Sequence, residues 1–293
     1  MAVTSSKRPK GIVIVGPTAS GKTALAIDIA KQIDGEIICA DSRTVYEGMN
    51  VATAKPSSDE QRGVPHWGID LAKPSDRFTV AEFQQYAKQH IQAIRRRGRV
   101  PILVGGTGLY IDSVVFDYTF PDVSAADSGE NFEVSSVPEL QNYCLENNIS
   151  LPENKDNKRH LISAILRNGV IPKRRDTPLE GVSIYGIAVD KATISSRIES
   201  RWRHMIEDGV IGEAESLRSE YGENLESMTA NAYQLIFEHL DGKIDAAQLS
   251  EMFTTRDRQL AKRQMTWFRR NPFISWGTSE DVYRSINSLF TSE

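Results

Sequence analysis

A stretch of eight residues has the composition and spacing of a phosphate-binding loop. It fits the pattern G-x-x-x-x-G-K-[ST], and its members are Gly16, Pro17, Thr18, Ala19, Ser20, Gly21, Lys22 and Thr23. In such loops the glycines let backbone N–H groups approach a phosphate, the lysine adds a positive charge, and the last hydroxyl binds Mg²⁺. The stretch therefore predicts a phosphate site with Thr23 as a Mg²⁺ ligand, without identifying the molecule that carries the phosphate.

Two further polar residues follow apolar segments. Asp41 comes directly after residues 36–40, and Thr107 follows residues 100–104 and the pair Gly105-Gly106. A carboxylate at position 41 could act as a general base, hold Mg²⁺ through water, or only cap the next turn. The glycine pair would let a ligand approach the backbone beside the Thr107 hydroxyl, or would only form a tight turn. On the residues alone, these alternatives stay open.

Basic residues collect in one predicted helix near residue 260. Residues 254–270 hold six basic residues and one acidic residue, Asp257, in a chain whose net charge is −4. Helical spacing arranges the cations in two lines, one of Arg256, Arg263 and Arg270 and a neighbouring one of Arg258, Lys262 and Arg269. A third side, with Phe253, Leu260 and Trp267, is expected to face a core. Such a helix presents either a solvated charged face or a contact for a nucleic-acid backbone.

The elements that must position these residues alternate between strands and helices. Short apolar runs predict buried strands at residues 11–15, 36–40 and 100–104, and helical spacing predicts helices at 23–33 and 79–97. The longer helix opens on a capping box, with Thr79 followed three residues later by Glu82. This alternation predicts an α/β fold with a doubly wound parallel sheet, whose ligands bind at the carboxyl ends of the strands.

The pattern changes after about residue 120, where a polar loop is predicted at residues 121–137. We divide the chain into a phosphate-loop core at 1–118, a small helical insertion at 119–180, and a return to the core with basic C-terminal helices at 181–293. A strand at 182–189 is expected to rejoin the sheet, and the residues after it are expected to be helical, with the last long helix at 246–270.

Composition excludes several classes of protein. No apolar run approaches the roughly 20 residues that span a bilayer, and the first residues do not resemble a signal peptide. Cys39 and Cys144 are the only cysteines and the five histidines are scattered, so neither a disulfide framework nor a zinc module is predicted. A cytoplasmic protein without membrane contact is expected. The net charge of −4 argues against a general polyanion binder, but a local basic cluster can still bind nucleic acid.

Four segments together resemble the tRNA dimethylallyltransferase family, whose members are also called tRNA isopentenyltransferases. The segments are GPTASGKT, ADSRTVYEGMNVATAKP, VPILVGGTGLYI and TRDRQLAKRQMTWF. They occur in the family's order and spacing, and they cover the first ~115 and the last ~45 residues well. No C-terminal zinc finger of the eukaryotic kind follows them, so the resemblance is to the bacterial type.

The resemblance implies transfer of a dimethylallyl group from dimethylallyl diphosphate, with Mg²⁺, to N6 of adenosine 37 in tRNA. It gives catalytic roles to Asp41 as base, to Lys22 at the diphosphate, and to Thr107 near the reacting centre. Asp41, Ser42, Arg43 and Thr44 match the segment that meets the substrate adenosine. The insertion and the basic helix would bind the anticodon stem-loop. The residues involved would be Arg159, Arg256, Lys262, Arg263 and Arg270. A monomer is expected.

Three positions depart from the family's basic residues. His160 and Ser163 stand where arginines are usual in the insertion, and Gln234 stands where the family has Lys or Arg. Three alternatives therefore remain: an enzyme that prenylates a free adenine nucleotide, a phosphate-loop kinase of a small metabolite, and a non-catalytic RNA-binding relative. The basic helix argues against the first, and the joint presence of Lys22, Thr23 and Asp41 argues against the last.

Overall fold

The computed structural model describes residues 9–120, 132–229 and 232–291. The chain forms two compact units, one of residues 1–115 with 178–293 and a smaller one of residues 116–177. The strands of the described ranges are β1 (Gly11–Val15), β2 (Gly35–Ala40), β3 (His66–Trp67), β4 (Val100–Gly105), β5 (Val182–Ile187) and β6 (Ile274–Gly277). The helices are α1 (Lys22–Ile33), α2 (Val80–Arg96), α3 (Gly108–Val115), α4 (Val137–Glu146), α5 (Lys158–Leu166), α6 (Lys191–Glu207), α7 (Val210–Tyr221), α8 (Tyr233–Leu240), α9 (Ala246–Phe268) and α10 (Ser279–Thr291).

The larger unit is built on one parallel sheet with strand order β3-β2-β4-β1-β5-β6. All five residues of β1 are buried, which is typical of a parallel strand covered by helices on both faces. The predicted doubly wound α/β fold is confirmed. Because β2, β4 and β1 are adjacent, the segments that follow them lie side by side at the carboxyl edge.

The predicted start of α2 is confirmed in atomic detail. Thr79 Oγ1 accepts from the N–H of Glu82 at 3.2 Å, and Glu82 Oε2 accepts from the N–H of Thr79 at 2.6 Å. These two bonds satisfy N–H groups that have no acceptor within a helix. Phe83, Ala87 and Ile94 are buried along one side, so the helix is held by its apolar stripe against the sheet.

Two strands, β3 and β6, were not predicted from the sequence. Strand β3 has only two residues, and β6 has four, of which Ile274 alone is buried; neither is long enough to show a pattern. The expectation that everything after β5 is helical is therefore wrong at β6, which pairs in parallel with β5. The last helix is α10, and α9 ends at Phe268, so Arg270 lies beyond it.

The smaller unit has a core of its own. Phe132, Leu140, Cys144 and Leu161 are buried in one cluster between α4 and α5, and Thr119 pairs with Lys173 in an antiparallel bridge. Most of the predicted loop at 121–137 lies outside the described residues, as does Ala230, where a helix was predicted to begin. Within the described ranges, no helix is long and apolar enough to cross a membrane.

Candidate active site

The phosphate loop has the backbone of an anion cradle. Ala19 and Gly21 both have left-handed backbone, with φ of 59° and 86°, and glycine at the second position adopts this without a side-chain clash. The N–H of Ser20 closes the turn on Pro17 O at 3.2 Å. Helix α1 begins directly afterwards at Lys22, so its first N–H groups and the positive end of its dipole meet the loop.

Lys22 is the central cation of this loop. Its Nζ donates to Pro17 O at 3.3 Å. Burial, opposed by the charge of Asp41 and reinforced by that of Arg201, lowers the pKa of Lys22 to about 8. The ammonium is therefore held close to both a second cation and a carboxylate, in a place that favours a bound anion.

Helix α6 adds two arginines that the sequence analysis missed. Arg197 Nη1 donates to Ser20 O at 3.2 Å and Arg201 Nη1 donates to Thr18 Oγ1. Asp257 of α9 is buried, and its Oδ2 lies 3.8 Å from Arg201 Nη1. A spacing of four residues puts Arg197 and Arg201 on one face of a helix. The sequence shows this spacing, but no nearby residue indicates that this face of the helix contacts the phosphate loop.

Asp41 and Thr107 lie on the neighbouring segments. Asp41 Oδ1 accepts from the N–H of Arg43 at 2.9 Å, and no hydrogen bond to Asp41 Oδ2 is found among the described residues. Thr107 Oγ1 accepts from the N–H of Ser42 at 3.0 Å and lies 3.4 Å from Ser42 Oγ. Hydrogen bonds thus join the two segments, and Oδ2 of Asp41 is without a hydrogen bond among the described residues. Burial and the charge of Asp41 raise the pKa of the neighbouring Cys39 to about 12, so its thiol stays protonated.

Arg43 and Thr44, which were predicted to contact RNA, also make contacts within the protein. Arg43 Nη1 donates to the backbone carbonyls of Glu226 and Ser227, at 3.2 and 2.9 Å. Thr44 is buried, and its hydroxyl lies 3.4 Å from Asp41 O. Both side chains therefore brace the loop on which Asp41 lies.

Glu213 of α7 binds the backbone of residues 50–52, further along the segment that begins with Asp41. This residue was not predicted from the sequence. Its carboxylate accepts from the N–H groups of Asn50, Val51 and Ala52 at 2.8, 2.7 and 3.0 Å, and from the Tyr233 hydroxyl at 2.8 Å. A charged acceptor with several donors makes strong hydrogen bonds. The sequence offers only a glutamate within a helix, and its partners lie about 160 residues away along the chain.

Helix α9 packs against both glycine-containing loops. Gln264 Oε1 accepts from the N–H of Thr18 at 2.7 Å, and Trp267 Nε1 donates to the buried Asp112 of α3 at 2.8 Å. The expectation that Trp267 faces a core together with Phe253 is wrong, because Trp267 is 39% exposed whereas Phe253 is 2% exposed. The indole thus pairs its N–H with a buried carboxylate while part of the ring stays exposed.

The predicted cations of α9 divide into two groups. The exposed ones are Lys262, Arg263, Arg269 and Arg270. Arg258 is engaged, since its Nε donates to Ser195 Oγ at 2.9 Å and its Nη2 to Glu199. Arg256 is half-buried. Four cations therefore remain on the surface of α9 and the turn that follows it.

The remaining predicted residues belong to other helices. Arg159 belongs to α5 of the smaller unit, as do His160, which is exposed, and Ser163, which is half-buried. Gln234 Nε2 donates to Glu223 O at 2.9 Å. The glutamine thus supports a turn before α8.

Thr23 is the residue that could hold a metal. It is exposed at the start of α1, and its hydroxyl has no hydrogen-bond partner in the part of the chain that the structure describes. Mg²⁺ favours hard oxygen ligands and usually keeps several waters while bridging phosphates. A free hydroxyl beside a phosphate cradle fits such an ion, although the described residues contain no group of three or more His, Cys, Asp or Glu side chains for a metal.

Known proteins with the same fold and related sequences provide a comparison. A family model described as IPP transferase matches residues 44–271. A tRNA dimethylallyltransferase of Bacillus cereus is 36% identical in an alignment that covers 92% of this chain and 90% of that protein. The crystal structure of the full-length tRNA isopentenylpyrophosphate transferase of Bacillus halodurans has a TM-score of 0.74 and 30% identity, and covers 97% of both chains. A tRNA isopentenylpyrophosphate transferase of Staphylococcus epidermidis has a TM-score of 0.72 and 31% identity, covering 96% of this chain and 99% of its own.

Proposed function

Because this chain belongs to the IPP transferase family, we propose that it transfers a dimethylallyl group from dimethylallyl diphosphate to N6 of adenosine 37 in tRNA. One observation carries the proposal. The segments after three adjacent strands bring a cationic phosphate cradle, the open carboxylate oxygen of Asp41 and the hydroxyl of Thr107 to one edge of the sheet. That edge is where parallel sheets bind their ligands.

On the donor side, the phosphate loop binds the diphosphate of the prenyl donor. Lys22, Arg201 and the first N–H groups of α1 surround the position of the leaving group, whose negative charge grows as the allylic C–O bond breaks. The Thr23 hydroxyl would hold Mg²⁺, which when bound neutralises part of the charge on the pyrophosphate. These groups are in place before the reaction, so little reorganisation is required.

On the acceptor side, N6 of the adenosine attacks the allylic carbon that carries the diphosphate. A C–N bond forms, the C–O bond breaks, and its electron pair leaves with pyrophosphate. The exocyclic amine loses one proton, which Asp41 Oδ2 accepts. Thr107 lies next to Ser42 on the same rim, where it can hydrogen-bond the reacting base. The base must leave its stack to reach this edge.

The RNA is bound by cations outside the catalytic edge. Lys262, Arg263 and Arg270 are exposed on α9 and just after it, and together with Arg256 and with Arg159 of the smaller unit they would contact phosphates of the anticodon stem-loop. We propose that a single copy of the chain carries out the reaction. Binding should weaken as salt concentration rises, because contacts to phosphate release counterions.

A transfer assay tests this function. The protein is incubated with Mg²⁺ and labelled dimethylallyl diphosphate, and with one of three acceptors: an anticodon stem-loop with adenosine at position 37, the same stem-loop with guanosine there, or AMP. We expect label only in the adenosine 37 stem-loop. Label in AMP but not in RNA would indicate a free-nucleotide enzyme, and no label in any of the three acceptors would exclude prenyl transfer to adenosine; either result would overturn the proposal.

A further inference from the structure

Gln264 connects the basic helix to both loops of the catalytic edge. Its Oε1 accepts from the N–H of Thr18 in the phosphate loop at 2.7 Å. Its amide nitrogen lies against the Cα of Gly106, so closely that a methyl group built on that glycine would overlap it. Gly106 thus admits the amide of Gln264 between the segments that follow β1 and β4, which is a physical reason for glycine at this position.

The N–H of Thr18 matters because of its place in the loop. It belongs to the first turn of the cradle, and the Thr18 hydroxyl on the same residue accepts from Arg201, a cation beside the phosphate loop. An acceptor on this N–H fixes the orientation of the peptide between Pro17 and Thr18. That peptide precedes the left-handed residue Ala19, so its orientation determines the direction of the N–H groups that follow.

We propose that Gln264 is a positioning residue for the prenyl donor: it holds the phosphate loop in its binding conformation without contacting RNA. The proposal rests on the proposed function, since it assigns the loop to dimethylallyl diphosphate. Gln264 directly follows Lys262 and Arg263 in sequence, yet its side chain is directed to the loops while theirs are exposed. One helix therefore serves the two substrates through different side chains.

The main test replaces Gln264 by methionine, which keeps the length of the side chain and removes its acceptor. We expect the KM for dimethylallyl diphosphate to rise about tenfold, the size of one lost hydrogen bond, with the KM for the stem-loop unchanged. The matched control is Gln259→Met, since Gln259 is exposed on the same helix. Thermal unfolding of both variants should agree within a few degrees, which separates positioning from loss of fold.

A second variant perturbs the same contact from its other side. Gly106→Ala should displace the Gln264 amide and raise the KM for the donor by a similar factor. The combination of Gly106→Ala with Gln264→Met should be no worse than Gln264→Met alone, because both changes remove one interaction. Replacing Gln264 by asparagine, which has the amide but a shorter reach, should not restore the donor KM.

The outcomes separate this inference from the proposed function. An unchanged donor KM in Gln264→Met, fully additive effects in the double variant, or an equal rise in the KM for the stem-loop would overturn the positioning role while transfer by the unmodified protein continues. Failure of the unmodified protein to transfer the prenyl group would instead remove the proposed function on which the role rests.

Discussion

Replacing Lys22 by methionine should stabilise the fold at pH 7 while abolishing tight donor binding. The Lys22 ammonium is withdrawn from water within the phosphate loop, close to Arg201, and only partly compensated by Asp41. Without a bound anion, the buried charge of Lys22 lowers the free energy of unfolding of the protein. Methionine fills a similar volume without a charge, so the cost disappears together with the main cation for the diphosphate.

The magnitude follows from the pKa. A decrease from 10.5 to about 8 corresponds to about 3 kcal/mol of unfavourable interaction with the charged form. The side chain keeps partial exposure to solvent, which screens part of this amount. We therefore expect the free energy of unfolding of Lys22→Met to exceed that of the unmodified protein by about 1–2 kcal/mol at pH 7.

The difference in the free energy of unfolding between Lys22→Met and the unmodified protein should decrease as pH rises. Between the folded pKa of about 8 and the unfolded value of 10.5, the unfolded chain binds more protons at this residue than the folded chain. The contribution of Lys22 to the free energy of unfolding therefore becomes less unfavourable as pH rises in that window. The excess stability of Lys22→Met decreases by the same amount. Affinity of the unmodified protein for the donor should fall as pH rises above about 8, because the free loop loses its charge.

Urea unfolding at pH 7 and at pH 10 measures this effect. The control is Lys31→Met, since Lys31 is exposed near the end of the same helix, and its difference from the unmodified protein should not change between the two pH values. If Lys22→Met is less stable than the unmodified protein at pH 7, or if its difference is the same at both pH values, burial does not control the charge of Lys22 and the reasoning is refuted.

Three further substitutions test other parts of the site. Asp41→Asn should lower kcat by at least ~10²-fold with little change in the Kd of the donor; a kcat near that of the unmodified protein would remove Asp41 as the base. Changing Arg263 and Arg270 to alanine should weaken binding of the stem-loop and reduce the salt dependence of its affinity by about one unit of slope for each lost phosphate contact, and an unchanged slope would contradict their role. Trp267→Phe removes the donor to the buried Asp112 and should cost about 1–2 kcal/mol in urea unfolding; equal stability would show that the bond contributes nothing.

The sequence predicted the parts of the site whose signals are local. The phosphate loop, the capping box of α2 and the position of Asp41 after a buried strand are all encoded within a few residues, and alternation of strands and helices was enough for the parallel sheet. The family resemblance, based on four segments, is confirmed by a family model that matches residues 44–271.

The residues that were missed act across long separations in the chain. Gln264 contacts Thr18 across 246 residues, and Arg201 contacts it across 183. No periodicity marks a glutamine as the partner of one particular N–H, because that partnership depends on how α9 packs. The same holds for Trp267: its spacing on α9 predicted a core position, but its indole is 39% exposed and its N–H donates to Asp112 of α3, a partner that no local pattern indicates.

The central position of β1 has a consequence for how the protein is made. β1 pairs with β4 on one side and with β5 on the other, and β5 begins only at Val182. At roughly 5–20 residues per second of synthesis, the apolar edge of β1 waits many seconds for its second neighbour, and the phosphate loop waits longer for α6 and α9. One side of β1 therefore stays unpaired until β5 has been synthesised, the interval in which a chaperone that covers such edges would improve the yield of folded protein.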